Sequence, residues 1–336
     1  MTWFWAADGL SNAMQRRVPA SAPSRDQSLR RSWLRNYGEF ALAWAALRSL
    51  EWAPLAVAQL LARAYVRLIN FALPRLRRVA RRNLSLALPE LPAEQRAAIA
   101  SGVFQSIARV LVALAKFPSI RRDNLDKWIR LEGCEHLENA RRSGRGILFA
   151  TAHLGNWELS AYVYGLVVGP MNVVVRPLDN PVVDLLVEGR RGLSGNRILS
   201  KRDPARPIMK ALAANEAVGI LIDQNTSLGS GVFVDFFGIP AAAPGGFVRL
   251  AARSGAAVVP GFALWRPEEQ RYVLRFYPPV PMTGDIVRDT QAVQSILEMV
   301  IRAHPDQWLW IHRRWKTRPP GAPSLYEPEP TASEAV

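Results

Sequence analysis

The 336-residue sequence has a single cysteine, Cys134. No intrachain disulfide can form, and thiolates cannot build a zinc cage. Histidine is almost as scarce. His136, His153, His304 and His312 are the only four, and they are too scattered for an HExxH-type metal site. Neither a metal nor an organic cofactor is expected. No Gly-x-Ser-x-Gly elbow occurs: Ser194 sits in GLSGN and Ser230 in LGSGV, which argues against a serine hydrolase. There is no Walker A sequence, and Gly229-Ser230-Gly231 lacks a third glycine and a strand–helix setting, which argues against a nucleotide-binding enzyme. No window reaches about 18 uncharged apolar residues, so a clean transmembrane span is not expected. The first residues have no apolar core ending in a small-residue cleavage site, so they are not a secretory signal.

Acidic residues are in deficit. There are 28 Asp and Glu against 43 Lys and Arg, a net charge of +15. Such a field favours anionic partners. No nucleic-acid-binding motif accompanies it, so nucleic acid is not expected among them. Anionic lipid, phosphorylated substrates and an acidic carrier protein remain. Arginine dominates the basic set, which suits carboxylate and phosphate recognition through the two-pronged guanidinium.

What is present is ample apolar material, 49% of the chain, enough for a large core. Residues 1–30 read as a flexible leader or an over-called start. Residues 31–120 read as a helical membrane-association region. Within it, 38–74 form two amphipathic helices broken at Pro54, with Trp44 and Trp52 suited to a headgroup interface. Packing on the catalytic domain is the competing explanation of these helices. The basic run PRLRRVARRN at 74–83 follows, as beside a membrane anchor. Another helix covers 93–116. Residues 121–318 alternate strands and helices, predicting an α/β domain with a mostly parallel sheet covered on both faces. Its strands are expected at 147–151, 172–175, 197–199, 218–222, 256–264 and 272–276. Its helices are expected at 156–167, 180–193, 206–215, 244–254 and 290–302. The Pro-rich tail from 319 to 336 reads as disordered.

Only His153 among the histidines has a carboxylate five residues on, in AHLGNWE. The spacing alone is weak, because i and i+5 do not face one another on a helix. The setting is stronger. His153 follows the 147–151 strand, Gly155 permits a tight turn, and Asn156 can cap a helix with Glu158 in its first turn. Such a break can fold His153 over Glu158, leaving the second ring nitrogen as a base. Arg176, Asp223 and Lys201 also follow predicted strands. Ligand crevices lie at the carboxyl ends of parallel strands, so His153, Arg176 and Asp223 are expected to share one.

The run HLGNWE, His153 to Glu158, resembles the His-x4-Asp/Glu motif of glycerolipid acyltransferases. Asp223 to Pro240 (DQNTSLGSGVFVDFFGIP), Pro244 to Pro260 and Trp308 to Lys316 (WLWIHRRWK) resemble segments of bacterial lipid A biosynthesis acyltransferases. The similarity runs from about Arg35 to Arg318. A Phe-Pro-Glu-Gly-Thr-Arg block, found in the wider glycerolipid group, is absent, which disfavours a glycerol-3-phosphate acceptor. The resemblance implies transfer of a fatty acyl chain from a thioester to a lipid hydroxyl at the cytoplasmic face of the inner membrane. The donor would be acyl carrier protein, favoured by the basic field, or acyl-CoA. The acceptor would be a lipid A precursor or another membrane lipid.

On that resemblance, His153 removes the acceptor proton and Glu158 holds the imidazole. No acyl-enzyme is expected. Arg176 stabilises an oxyanion or a phosphate. Asp223 fixes the loop or pairs with Arg176. Gly245 and Gly246 either offer backbone N–H groups to an anion or permit close packing. Arg313 and Arg314 contact carrier protein or phosphate, or form a solvated basic face. Phe236 and Phe237 line an acyl groove or the core. The non-enzyme alternative is a basic protein that binds membrane surfaces.

Overall fold

The computed structural model describes residues 33–200 and 204–326. The expected leader, Lys201 and residues 327–336 lie outside the described residues. Pro54 divides the apolar N-terminal stretch as expected, giving helices α1 (Trp33–Trp52) and α2 (Leu55–Ala72). Proline has no N–H and fits the start of α2, but it cannot continue α1. The open carbonyl end of α1 is closed from elsewhere: Lys116 Nζ donates to Glu51 O at 2.7 Å and Ala53 O at 2.6 Å. Helix α3 (Pro74–Ala87) carries the basic run, and α4 spans Ala93–Lys116.

Alanines let these helices approach closely. Leu50, Ala58, Ala62 and Val66 pack on Ala108, Val112 and Ala115 of α4. The outer side of α1 and α2 stays uncovered, with Trp33, Leu42, Trp52, Leu60, Leu68 and Phe71 exposed. By length and composition alone, Leu55–Ala72 and Ala93–Ser119 are apolar enough to cross a membrane. This differs from the sequence expectation because a span tolerates a few charges, here Arg63 and Arg67 in α2. The α4 segment is partly consumed as core. α3 turns Val79, Ala80, Leu84 and Ala87 inward and its arginines outward. Its buried Asn83 donates to Trp310 O and His312 O, both at 2.6 Å, which ties α3 to the C-terminal segment.

Strands β1 (Ile129–Glu132), β2 (Ile147–Thr151), β3 (Met171–Val175), β4 (Arg197–Ser200), β5 (Ala217–Leu221), β8 (Ala257–Arg266) and β9 (Arg271–Phe276) form one seven-stranded sheet. Its order is β1-β9-β8-β2-β5-β3-β4. All neighbours are parallel except β8 and β9, which pair antiparallel. Intervening helices are α5 (Cys134–Arg142), α6 (Trp157–Val167), α7 (Pro181–Arg191), α8 (Ala205–Ala213), α9 (Gly246–Ser254) and α10 (Ile286–Ala303). The predicted α/β class and mostly parallel sheet are therefore present. β2 lies central, buried along nearly its whole length. Its carboxyl end opens toward the same edge as that of β5.

One element was hidden in the sequence. Strands β6 (Gly231–Phe236) and β7 (Ile239–Pro244) form a separate antiparallel hairpin. Its turn is Phe237-Gly238, both at positive φ (60° and 73°). A two-residue hairpin turn needs that geometry, but the usual residue there is Asn or Asp, not Phe. Phe237 is held in place by its N–H bond to Glu298 Oε2 at 2.6 Å and by ring contact with Trp310. Phe236 and Phe237 are thus core residues beside Trp308, Trp310 and Trp315. Neither lines the apolar cleft beside α6. Pro244 closes β7, so the helix expected from it starts two residues later. The tail is also partly ordered: Tyr326 Oη donates to Asn83 Oδ1 at 2.7 Å.

Candidate active site

After β2 ends at Thr151 the chain turns sharply. Gly155 has φ of 63°, and a Cβ there would lie 1.9 Å from Ala263 O. Only glycine fits. The flanking backbone is pinned on both sides. Gly155 N donates to Gln307 O at 2.9 Å, Asn156 N to Ala263 O at 2.8 Å, and Leu309 N to His153 O at 3.0 Å. Asn156 caps α6, its side chain accepting from Leu159 N at 3.0 Å. His153 is therefore fixed at the carboxyl end of the central strand, its side chain 18% exposed.

The carboxylate that receives the imidazole is Asp223, not Glu158. His153 Nδ1 meets Asp223 Oδ1 at 3.0 Å, and His153 N donates to Asp223 Oδ2 at 3.0 Å. Trp308 Nε1 donates to the same Oδ2 at 2.9 Å. A carboxylate only accepts, so Nδ1 carries the proton and Nε2 presents its lone pair. Nε2 has no hydrogen-bond partner among the described residues. Burial works against charging His153, yet the adjacent Asp223 carboxylate, and Glu158 more weakly, raise its pKa above 6.5. Burial likewise opposes ionised Asp223. The His153 charge and the three donors win, keeping its carboxyl below the ordinary range.

Glu158 turns to another partner. Arg191, at the end of α7, donates from Nε to Oε2 at 2.9 Å and from Nη2 to Oε1 at 2.5 Å. Trp157 Nε1 adds a third donor at 3.2 Å. The helix beginning at Trp157 swings Glu158 away from His153 Nδ1, as the five-residue spacing warned. Trp157 fills the place beside His153, with ring centroids 5.1 Å apart. Sequence reasoning missed Arg191. Two arginines, Arg190 and Arg191, close that helix, where cations ordinarily offset the helix dipole, so nothing local singles out Arg191.

Trp157, Glu158 and Arg191 help to line an open cleft between α6 and the sheet. Its walls are apolar: Phe149, Tyr164, Val173 and Phe276 among them. Gly219 and Gly261 on the strands keep the floor low. A Cβ at Gly219 would come within 2.9 Å of Met171 Sδ.

The other expected site residues fall elsewhere. Arg176 is 80% exposed and pairs with Asp179 at 3.7 Å. It joins neither Asp223 nor the cleft, because the chain after β3 runs outward to cap α7. Gly245 packs on the hairpin and on α10, where a Cβ would meet Ile286 Cγ2 at 3.2 Å. Neither it nor Gly246 borders the cleft. Arg314 is fully buried at 0% exposure, so it cannot meet a carrier protein. It donates to Ala242 O at 2.7 Å and Gln294 Oε1 at 3.3 Å, and lies over the Phe236 ring. Burial lowers its pKa to about 10. Arg313 points the other way, over Tyr326. His312 accepts from Asn225 N at 2.9 Å through Nε2. Burial lowers its pKa to about 4, so it is neutral beside the His153–Asp223 pair. Among the described residues, no three His, Cys, Asp or Glu are grouped to hold a metal.

The sequence model of the bacterial lipid A biosynthesis acyltransferases matches residues 26–317. The chain is 33% identical over 254 residues to the lipid A biosynthesis lauroyltransferase of Escherichia coli (strain K12), covering 74% of this chain and 82% of that protein. It is 32% identical over 252 residues to the lipid A biosynthesis palmitoleoyltransferase of the same organism, with 74% and 81% covered. It is also 27% identical over 241 residues to the phosphatidylinositol mannoside acyltransferase of Mycolicibacterium smegmatis, with 70% and 78% covered.

Proposed function

This chain belongs to the bacterial lipid A biosynthesis acyltransferase family and is an acyltransferase, and on that footing we propose how its residues carry the transfer. The acceptor is a lipid A precursor, and the donor is an acyl thioester, with acyl carrier protein favoured over acyl-CoA by the net charge of +15. His153 Nε2 removes the proton of the acceptor hydroxyl. Asp223 keeps the imidazole in the productive tautomer and balances the imidazolium that forms. The alkoxide attacks the thioester carbonyl directly. The tetrahedral intermediate collapses, the thiolate leaves, and His153 returns the proton to it.

The acyl chain lies in the cleft between α6 and the sheet. Glu158 acts through its charge and through Trp157. Arg191 holds that carboxylate beside the cleft and adds positive charge near His153, where the oxyanion develops. The exposed apolar side chains of α1 and α2 seat the enzyme on the cytoplasmic face of the inner membrane, beside the basic face of α3.

The observation that carries this reading is the 3.0 Å contact of Asp223 with Nδ1 of His153, which sits in the loop between Thr151 and Trp157, two residues that line the apolar cleft. The test is transfer from acyl carrier protein and from acyl-CoA to a purified lipid A precursor, with wild type and His153→Ala. Transfer lost in the variant, with micelle binding kept, supports it. Full turnover in the variant, or a stoichiometric acyl adduct on the protein by intact mass, refutes direct attack by His153. Lipid mass spectrometry of a deletion strain identifies the acceptor. A missing mannosylated phosphoinositide instead of a lipid A species would favour the reading suggested by the mycobacterial relative.

A further inference from the structure

Helix α7 has no apolar anchor. Of its 11 residues only Arg190 is buried, at 8% exposure. An isolated helix of that length is marginal in water, and no leucine or valine of α7 is sunk into a core cluster. Its place is set by polar contacts, and most of them come from α1. At the start of α7, Asn180 Nδ2 donates to Asn36 O and to Glu39 Oε2, both at 2.9 Å. At its end, Arg190 Nη2 donates to Glu51 Oε2, and Arg190 Nη1 donates to Ala115 O of α4 at 3.3 Å. The two helices therefore run side by side in the same direction, tied at both ends.

Glu51 is itself held. Arg48 Nη1 donates to its Oε2 at 2.9 Å, and Lys116 Nζ bonds its backbone carbonyl. Its carboxyl is kept below the ordinary range by Arg190 and Arg48, against the cost of burial. The next residue along α7 after Arg190 is Arg191, which holds Glu158 through two hydrogen bonds. A continuous set of contacts thus runs from α1 through Glu51 and Arg190 to Arg191, and from there to Glu158 and Trp157 beside His153. Arg190 does not line the apolar cleft, and neither it nor Glu51 bonds to His153 or Asp223.

We propose that Glu51 and Arg190 are positioning residues for the transfer: their ion pair fixes the end of α7, and so sets where Arg191 holds Glu158 beside His153. On this view α1 has a task inside the enzyme in addition to its contact with lipid. The proposal rests on the acyltransfer reading above and adds which residues outside the site set its geometry.

The test uses full-length enzyme and a lipid A precursor in uncharged detergent micelles. The double variant Glu51→Gln/Arg190→Gln leaves no unpaired charge buried, so the fold is spared the penalty of breaking the pair from one side. Its kcat should fall about tenfold with KM within about twofold, because misplacement at the reacting atoms acts on the transition state. Micelle binding should match wild type, since the exposed apolar side chains of α1 are untouched. The pH profile adds a readout that a smaller folded fraction cannot move. The charged groups around His153 are Asp223, Glu158 and Arg191, with neutral His312 beyond them. Arg191 lowers the His153 pKa and Glu158 raises it. Once Arg191 slackens its hold, the inflection of kcat/KM should move to higher pH. Arg130→Gln, which breaks an ion pair with Glu269 at the sheet edge opposite β4, should change neither kcat nor the inflection. An unchanged kcat in the double variant overturns the proposal, and so does a fall in kcat that the folded fraction accounts for with the inflection unmoved.

Hydrogen exchange separates this proposal from the reaction reading. In the double variant the amides of residues 186–194 should exchange about tenfold faster than in wild type, with α8 unchanged. Should wild type transfer no acyl chain, or His153→Ala transfer as well as wild type, the reaction reading fails by itself. Exchange then still decides what holds α7: faster exchange confined to its end upholds the pair as the fixing contact, and equal protection overturns it.

Discussion

Asp223 accepts from His153 Nδ1 at 3.0 Å although the two residues are 70 positions apart. The nearer carboxylate, Glu158, is engaged by Arg191 instead. That exchange of partners sets the following expectations.

Asp223→Asn should lower kcat by about 10² to 10⁴-fold, the usual worth of a positioned general base. The amide can offer its N–H to Nδ1, which favours the tautomer protonated at Nε2. Steady-state kinetics on a lipid A precursor measure this. A variant within twofold of wild type would remove Asp223 from the mechanism. Glu158→Gln should cost less, because no hydrogen bond joins it to the imidazole.

The pH dependence follows from the sign of the His153 shift. The base works only when neutral, and its pKa is raised above 6.5. Activity should therefore climb with pH through an inflection above 6.5 and fall away below it. Removing the Asp223 charge leaves burial dominant, so residual activity in Asp223→Asn should inflect at lower pH. A rate profile of kcat/KM from pH 5 to 9 reads both. An inflection that ignores the substitution would show that another group titrates.

Trp308→Phe keeps an aromatic ring but deletes the Nε1–H donor to Asp223 Oδ2, and leaves a void where the five-membered ring packed. Leaving a buried charged acceptor short of one donor should cost about 1–3 kcal/mol. Denaturant unfolding measures the loss. Activity should fall as well, since the carboxylate is then free to rotate away from His153.

Arg191→Met leaves Glu158 without its cation in a mostly buried setting. The side chains are 20% and 10% exposed. Breaking such a pair from one side should destabilise by about 3 kcal/mol. Adding Glu158→Leu should restore much of that stability, because two apolar residues need no partner. Turnover should stay low in the double variant. Full recovery of turnover would reduce the pair to a structural role.

Val173→Phe narrows the apolar cleft that Val173 lines. The preferred acyl chain should shorten, with each methylene excluded worth about 0.8 kcal/mol. Competition between thioesters of different lengths, read by product mass, reports the shift. An unchanged length profile would move the acyl chain out of this cleft.

Most of the fold was legible in the chain. Helix α4 carries a strong 3.6-residue apolar pattern, and Asn180 followed by Pro181 marks the start of α7, where the Asn side chain accepts from Val182 N and Val183 N. Strand β2 stands out because every residue before its end is apolar. The β6–β7 hairpin was not legible, since Phe237-Gly238 adopts a turn that sequence associates with Asn-Gly. The site was half legible. His153 could be found by its place after β2, and Gly155 by the turn it must make. Arg314 could not be told from Arg313, because the segment is a run of turns with no regular period, and only packing says which side chain is in.

The sequence by itself determined the class of fold, the histidine and the loop that presents it, because those depend on local periodicity and on glycine's access to positive φ. It did not determine the partner of the histidine. Local spacing pointed to Glu158, whereas parallel strands bring the ends of β2 and β5 side by side and deliver Asp223 instead. Only the tertiary structure could decide this, because a hydrogen bond across 70 residues of chain is written in the sheet order and not in any neighbourhood of the sequence.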